Sequence, residues 1–85
     1  MITNEMLRSE LKGLRAKNNM RFEDVANALN VHRETVRKYE NNPGLMDVET
    51  LFKMLEIYNV DPLYFFNSIY GRLPYKEVKW NLKNN

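Results

Sequence analysis

Along residues 1–70, apolar side chains recur at intervals of three and four, the spacing that gathers them on one side of a helix. Leu7, Leu11 and Leu14 share a face of a first helix over about residues 4–18. Thr3 or Asn4 can cap its start, and the pair Asn18-Asn19 can close it, because Asn tolerates the left-handed backbone of a helix end. A shorter helix follows over 22–29, with Glu23 and Asp24 suited to the dipole of its first turn. Val25 and Leu29 point inward from it, and Ala26 between them is small enough for a neighbouring helix to approach. Asn30 breaks this helix, and a third covers 33–41. A rotation of about 100° per residue puts Val36, Tyr39 and Thr35 on one side of the third helix, and Arg33, Glu34, Arg37 and Lys38 on the other.

Pro43-Gly44, inside "NNPGLMD", marks a loop. Asp47 then caps a fourth helix, 48–58, whose Val48, Leu51, Phe52 and Leu55 form the expected inward stripe. Asn59 ends it. Asp61-Pro62, a cap followed by proline in the first helical position, opens a fifth helix over about 62–69 that contributes Leu63, Phe66 and Ile69. After Gly71 the period changes to two. Val78, Trp80 and Leu82 alternate with Glu77, Lys79 and Asn81, which predicts a short β-strand. The chain thus divides into a helical domain, 1–70, and a tail, 71–85, with no internal repeat.

Composition narrows the chemistry. With no cysteine the chain has no disulfide framework, no thiolate zinc site and no thiol nucleophile. A single histidine and no grouped carboxylates give no metal site and call for no cofactor. No apolar run reaches the length of a membrane span and "MITNEMLRSE" is not a signal peptide, so the expected address is the cytoplasm. No glycine-rich phosphate loop or nucleophile–base pair suggests an enzyme, so no catalytic residue is expected. Net charge is only +2, but its distribution is uneven. Residues 1–22 carry five Lys/Arg against two Glu, residues 71–85 four against one, and residues 45–70 one Lys against four acids. Basic ends flanking an acidic stretch can turn one face toward a polyanion.

The densest polar stretch, "NVHRETVRKYENN", falls on the third helix and its edges, where it is either an ordinary solvated face or a reading surface. Two short helices joined by a tight turn, the second with an exposed polar face, describe a helix-turn-helix. "LKGLRAKNNMRFEDVANALNVHRETVRKYENN" followed by "DVETLFKMLEIYNVDPLYFF" resembles the lambda-repressor-like, or Cro/repressor (xenobiotic-response-element), DNA-binding domains over about residues 7–66. The resemblance rests on the Leu-x-x-Leu-Arg start, Val-Ala ahead of the turn, Val31, Val36, Tyr39-Glu40-Asn41, the Glu-Thr-Leu of helix four and the Asn-Val-Asp-Pro entry to helix five.

That resemblance implies an all-α, five-helix DNA-binding domain with a short C-terminal tail, its third helix entering the major groove and its second lying across the backbone. It implies that Arg33, Glu34 and Lys38 face base edges and that Arg37 joins them or takes a phosphate. Arg33 and Lys38 can donate to guanine O6 and N7; Glu34 can accept from cytosine N4 or orient Arg33 or Arg37. His32, Thr35 and Asn41 match positions that meet phosphates, with a helix cap as the other reading of His32. Arg15 and Glu40 match an ion pair that links helix one to the end of helix three. The chain departs from the family where helix two begins. Arg21-Phe22 replaces a Ser/Thr-Gln phosphate clamp, so Arg21 can serve a phosphate but Phe22 cannot. Asn30 and Asn42 stand where the family carries glycine, a tolerable exchange if they adopt positive φ. Met46 replaces a frequent proline.

The leading functional expectation is a sequence-specific regulator, a phage- or mobile-element-type repressor or Cro-like protein that binds an inverted repeat in double-stranded DNA as a homodimer. Lys12 and Lys17, with Arg8, would add sequence-blind phosphate contacts. The tail can pair with its twofold mate through Val78, Trp80 and Leu82, fold back on its own domain, or stay disordered; the three apolar residues favour an ordered role. The alternative is a protein-interaction module, an antitoxin or anti-repressor, in which the tail or the Phe22 edge binds a protein partner.

Overall fold

The computed structural model describes residues 1–71 and is all-α: α1 Asn4–Lys17, α2 Phe22–Leu29, α3 Arg33–Asn41, α4 Val48–Ile57 and α5 Pro62–Tyr70. Among the described residues there is no strand. The strand expected around Val78, Trp80 and Leu82 lies outside them. Between α3 and α4 the expected loop contains one 3₁₀ turn, Pro43–Leu45, with Pro43 buried.

Each helix begins where a side chain can accept an otherwise unpaired backbone N–H. Thr3 Oγ1 accepts from Met6 at 3.2 Å, Asp47 from Thr50 at 2.7 Å and Asp61 from Leu63 at 2.6 Å. Three helix ends share one device. Asn19, Asn30 and Asn59 sit at φ 55°, 60° and 58°, the left-handed conformation that lets the chain fold back over the last turn. The apolar residue after each returns its N–H to an orphaned carbonyl: Met20 to Arg15 at 3.0 Å, Val31 to Ala26 at 3.0 Å, Val60 to Leu55 at 2.9 Å. Asn42 does not follow this pattern. Its φ is −140°, so it needs none of glycine's freedom, and its side-chain oxygen instead accepts a hydrogen bond from Asn4. The Asn4 carboxamide oxygen also accepts the Gly44 N–H at 2.8 Å, tying the start of α1 to the loop after α3.

The core gathers Leu11 from α1, Val25 and Ala26 from α2, Val36 from α3, Met54, Leu55 and Tyr58 from α4 and its end, and Phe65 and Ile69 from α5. Leu7, Leu14, Leu29 and Tyr39 pack half-buried against it. Two expected stripes hold only in part: Leu51 and Leu55 of α4 and Phe66 and Ile69 of α5 lie inward, whereas Val48, Phe52 and Leu63 do not. On α4, Val48 is 64% and Phe52 45% exposed, and the inward face runs through Leu51, Met54, Leu55 and Tyr58. On α5, Leu63 is 70% exposed, and Phe65 takes its place inside with Phe66 edge-on to it. In both helices apolar residues cover more than one face, so periodicity alone admits two registers; contact with α1 and α2 selects one.

One polar interaction crosses this core. Glu40, only 3% exposed, accepts two hydrogen bonds from Arg15, Nε at 2.7 Å and Nη2 at 3.1 Å. Nη1 of Arg15 donates to the Met20 carbonyl at 3.1 Å, and the guanidinium lies 4.2 Å from the centre of the Phe22 ring. A single side chain of α1 thereby holds the α1–α2 turn, the first residue of α2 and the last turn of α3. The hydrogen bond to Glu40 raises the Arg15 pKa above its ordinary value, so the guanidinium stays charged.

Two outcomes follow for stability. Met54→Ala should lose about 2–5 kcal/mol in urea denaturation, as expected of a fully buried side chain; a loss below about 1 kcal/mol would put Met54 outside the core. Arg15→Ala should cost about 3–5 kcal/mol because it strands the Glu40 carboxylate. The double variant Arg15→Met/Glu40→Leu should recover most of that loss, and a double variant as unstable as the single one would show that the pair is not the cause.

Candidate nucleic-acid interface

The densest polar stretch lies on a nine-residue helix, α3, that buries only a narrow edge. Val36 and Glu40 are buried, Thr35 and Tyr39 half-buried, and Arg33, Arg37, Lys38 and Asn41 exposed. The separation of sides expected from the sequence therefore holds for Arg33, Arg37 and Lys38, whereas Glu34, expected beside them, is half-buried and Glu40 joins the inner edge. That edge is fixed from two directions, by Val36 in the apolar core and by Glu40 on Arg15. A helix anchored at one residue could roll; one anchored a full turn apart by packing and by a two-point ion pair cannot do so without exposing or stranding a group.

At the start of α3, His32 is the N-cap. Its Nδ1 accepts the Glu34 N–H at 3.2 Å, which leaves Nε2 of the ring to meet solvent or a ligand. The cap reading and the phosphate reading of this residue are thus compatible. Glu34, half-buried, accepts from Arg37 Nε at 2.9 Å, one turn along the helix. That hydrogen bond, reinforced by the Arg37 charge, holds the Glu34 carboxyl below the usual carboxylate range, so it is an anion that aims Arg37 and offsets part of its charge. The Arg33 charge adds to that effect on Glu34, and the Lys38 carbonyl accepts the Asn42 N–H at 2.9 Å while its side chain is exposed.

Beside α3 runs a cleft of about 620 Å³ between the outer face of α1 and the end of α3. It brings together Lys12, Arg37 and Asn41, three of the residues singled out from the sequence, with Arg8 and Ser9 of α1. Arg15, Phe22 and Glu40 also line it. Residues 8 and 12 are one turn apart along the cleft, and Glu5, which also lines it, stands 3.7 Å from Arg8. Lys17 does not join them; it lines a separate cleft with Gly13, Asn59 and Tyr64, on the side of α1 that faces α5. Arg21 is exposed at the N-cap of α2. Its backbone N–H donates to Asp24 at 2.8 Å, while its guanidinium stands 3.7 Å from the same carboxylate. Phe22 is half-buried under Arg15, so the residue that replaces a phosphate clamp serves the ion pair instead.

Sequence reasoning missed the contribution of Ser9 to this cleft, and it took Asn4 only as a possible cap of α1, where Thr3 is the cap, and missed its bonds to Asn42 and Gly44 that fix the loop after α3. No local signal marks either residue, since their partners lie far along the chain. Among the described residues, no group of three or more His, Cys, Asp or Glu is placed to hold a metal, and no helix is long and apolar enough to cross a membrane.

No curated protein and no solved structure matches the chain. A family model described as helix-turn-helix matches residues 11–65, from the core leucine of α1 to the core phenylalanine of α5. That span includes the ion pair, the turn and the whole exposed face of α3, and the chain belongs to this family, the Cro/C1-type, XRE-like helix-turn-helix DNA-binding regulators.

Proposed function

We propose that the protein is a sequence-specific regulator that reads an inverted repeat in double-stranded DNA with two copies of α3, each in a major groove. The observation that carries this reading is the exposed row of Arg33, Arg37 and Lys38 on a helix anchored by the buried Arg15–Glu40 pair. A reading helix must present its donors in a fixed register, because base-edge hydrogen bonds are directional. Arg33 and Lys38 are assigned to guanine edges, with Arg37, braced by Glu34, beside them. Glu34 does its work on Arg37 and needs no base of its own.

Phosphates are assigned to the rim. His32 through Nε2, Thr35 and Arg21 take the side of the turn, and Lys12 and Asn41 take the cleft beside α1, with Arg8 added. Lys17, directed toward α5, contributes only to the general field. Two recognition helices about 34 Å apart would meet half-sites one turn of DNA apart. The alternative of an antitoxin or anti-repressor that docks a protein on a Phe22 edge has less support, since the Phe22 ring is stacked beneath Arg15.

The test is to incubate the folded protein with sheared genomic DNA at physiological salt and sequence what is retained. An enriched short inverted repeat is the expected result; no enriched sequence would overturn the reading. On the recovered site, Arg33→Ala should lose about 1–3 kcal/mol of specific binding and relax preference at one base position. Lys12→Ala should weaken every sequence alike and reduce the dependence of log affinity on log salt by about one. If both variants weakened all sequences uniformly, base reading by α3 would be wrong.

A further inference from the structure

The strongest unexplained feature lies away from α3. Val48 and Phe52, exposed on the outer face of α4, form with Val60 and Pro62 the floor of an open groove of about 970 Å³. A second cleft, which meets this groove at Asp61, runs along α5 past Leu63 and Tyr64, 70% and 61% exposed, to Asn67 and Ser68 near the end of that helix. Side chains as large as these, left in contiguous exposure, ordinarily mark a surface that something covers. The groove is also signed. Glu49, Glu56 and Asp61 stand on its rim against the one cation Lys53, itself 3.9 Å from Glu49.

We propose that the occupant of this groove is the chain's own C-terminal segment, residues 72–85, folded back along α5 so that Val78, Trp80 and Leu82 lie over Phe52 and Val48. Three observations converge on it. The apolar path begins beside the point where the segment leaves the domain, since Asn67 and Ser68 lie within a turn of Gly71. The reach is sufficient: α5 has nine residues and is about 13 Å long, whereas Trp80, nine residues beyond Gly71, can extend about 30 Å. The charges are complementary, because residues 72–85 carry Arg72, Lys76, Lys79 and Lys83 against Glu77 alone, facing the acidic rim. A segment already joined to the domain docks at high effective concentration, so its own chain outcompetes a second copy. Docked this way, the segment buries its apolar alternation and leaves the face of α3 and the cleft beside α1 uncovered.

Trp80 is the chain's single tryptophan, which makes it the probe. In the full-length protein its emission should be blue-shifted relative to the urea-unfolded chain, and its quenching by acrylamide several-fold weaker. Phe52→Glu should move both readings to the unfolded values with far-UV circular dichroism unchanged, because Phe52 makes no part of the buried core. Glu56→Lys should do the same in part and make the burial less sensitive to salt. The burial should be independent of protein concentration and present at monomer mass in sedimentation. A solvated Trp80 in the unaltered protein would overturn the proposal, as would burial that neither substitution disturbs. Burial that appears only as monomer gives way to dimer would also overturn it and assign the segment to a twofold contact between copies.

Discussion

The geometry of the exposed face of α3 depends on one arginine. Arg15 satisfies both oxygens of a buried carboxylate at the end of α3, one backbone carbonyl in the turn before α2, and the face of the first aromatic ring of α2. None of these partners is adjacent in sequence, and all must be in place for the charge to be buried without loss. A buried ion pair is weak evidence of stability, because desolvating two charges offsets most of their attraction. Its consequence lies in the alternatives it removes. If α3 slid or rolled against α1, Glu40 would be left as an unpaired buried carboxylate, the costliest polar defect a small core can hold. Tyr58 adds to the severity of this environment: its buried phenol finds no hydrogen-bond partner among the described residues, and burial, with the Glu40 charge beside it, pushes its pKa well above the ordinary phenol value.

The remaining constraints on α3 are cheap by comparison and act at its two ends. His32 caps the start with a ring nitrogen, and the carboxamides of Asn4 and Asn42 fix the loop beyond its finish. The helix is too short to be stable alone, so its conformation is imposed by what it packs on. A reading helix of this kind gains from being imposed. Its exposed side can consist almost entirely of charged residues, with poor intrinsic helix stability, because Val36 and Glu40 supply the tertiary attachment.

How much of this was legible depends on whether the signal is local. Caps and closures were readable because each is a matter of a few consecutive residues: Thr3, Asp47, Asp61-Pro62, and the asparagines at 19, 30 and 59 act on backbone groups within one turn. The two-sidedness of α3 was readable because its polar and apolar positions separate cleanly. The Arg15–Glu40 pair became visible only through resemblance to a family, as its members are far apart along the chain. What failed was the placing of Val48 and Phe52 on α4 and Leu63 on α5, where apolar residues cover more than one face of the helix. Val48 and Phe52 fit an inward stripe as well as Met54 does, and only the position of α1 and α2 decides between them. Asn42 failed for a related reason: a residue type that tolerates positive φ does not by itself require it.

That failure of register is itself informative. A helix needs apolar residues on one face to join a core, and α4 carries them on two. In the inward set, Met54, Leu55 and Tyr58 account for the fold. The outward set, Val48 and Phe52, does nothing for the domain among the described residues, yet it is bordered by acids rather than scattered among mixed charges. The same acids set the α4–α5 side apart from the α1–α3 cleft, where Arg8, Lys12, Arg15 and Arg37 outnumber Glu5 and Glu40. A polyanion approaching the domain is therefore drawn to one side and turned from the other. Apolar exposure on the repelled side costs nothing in DNA binding and is free to serve a different contact. The two faces of this small domain thus differ in charge as well as in position, and the ambiguous hydrophobic pattern of α4 is the trace in the sequence of its exposed apolar residues.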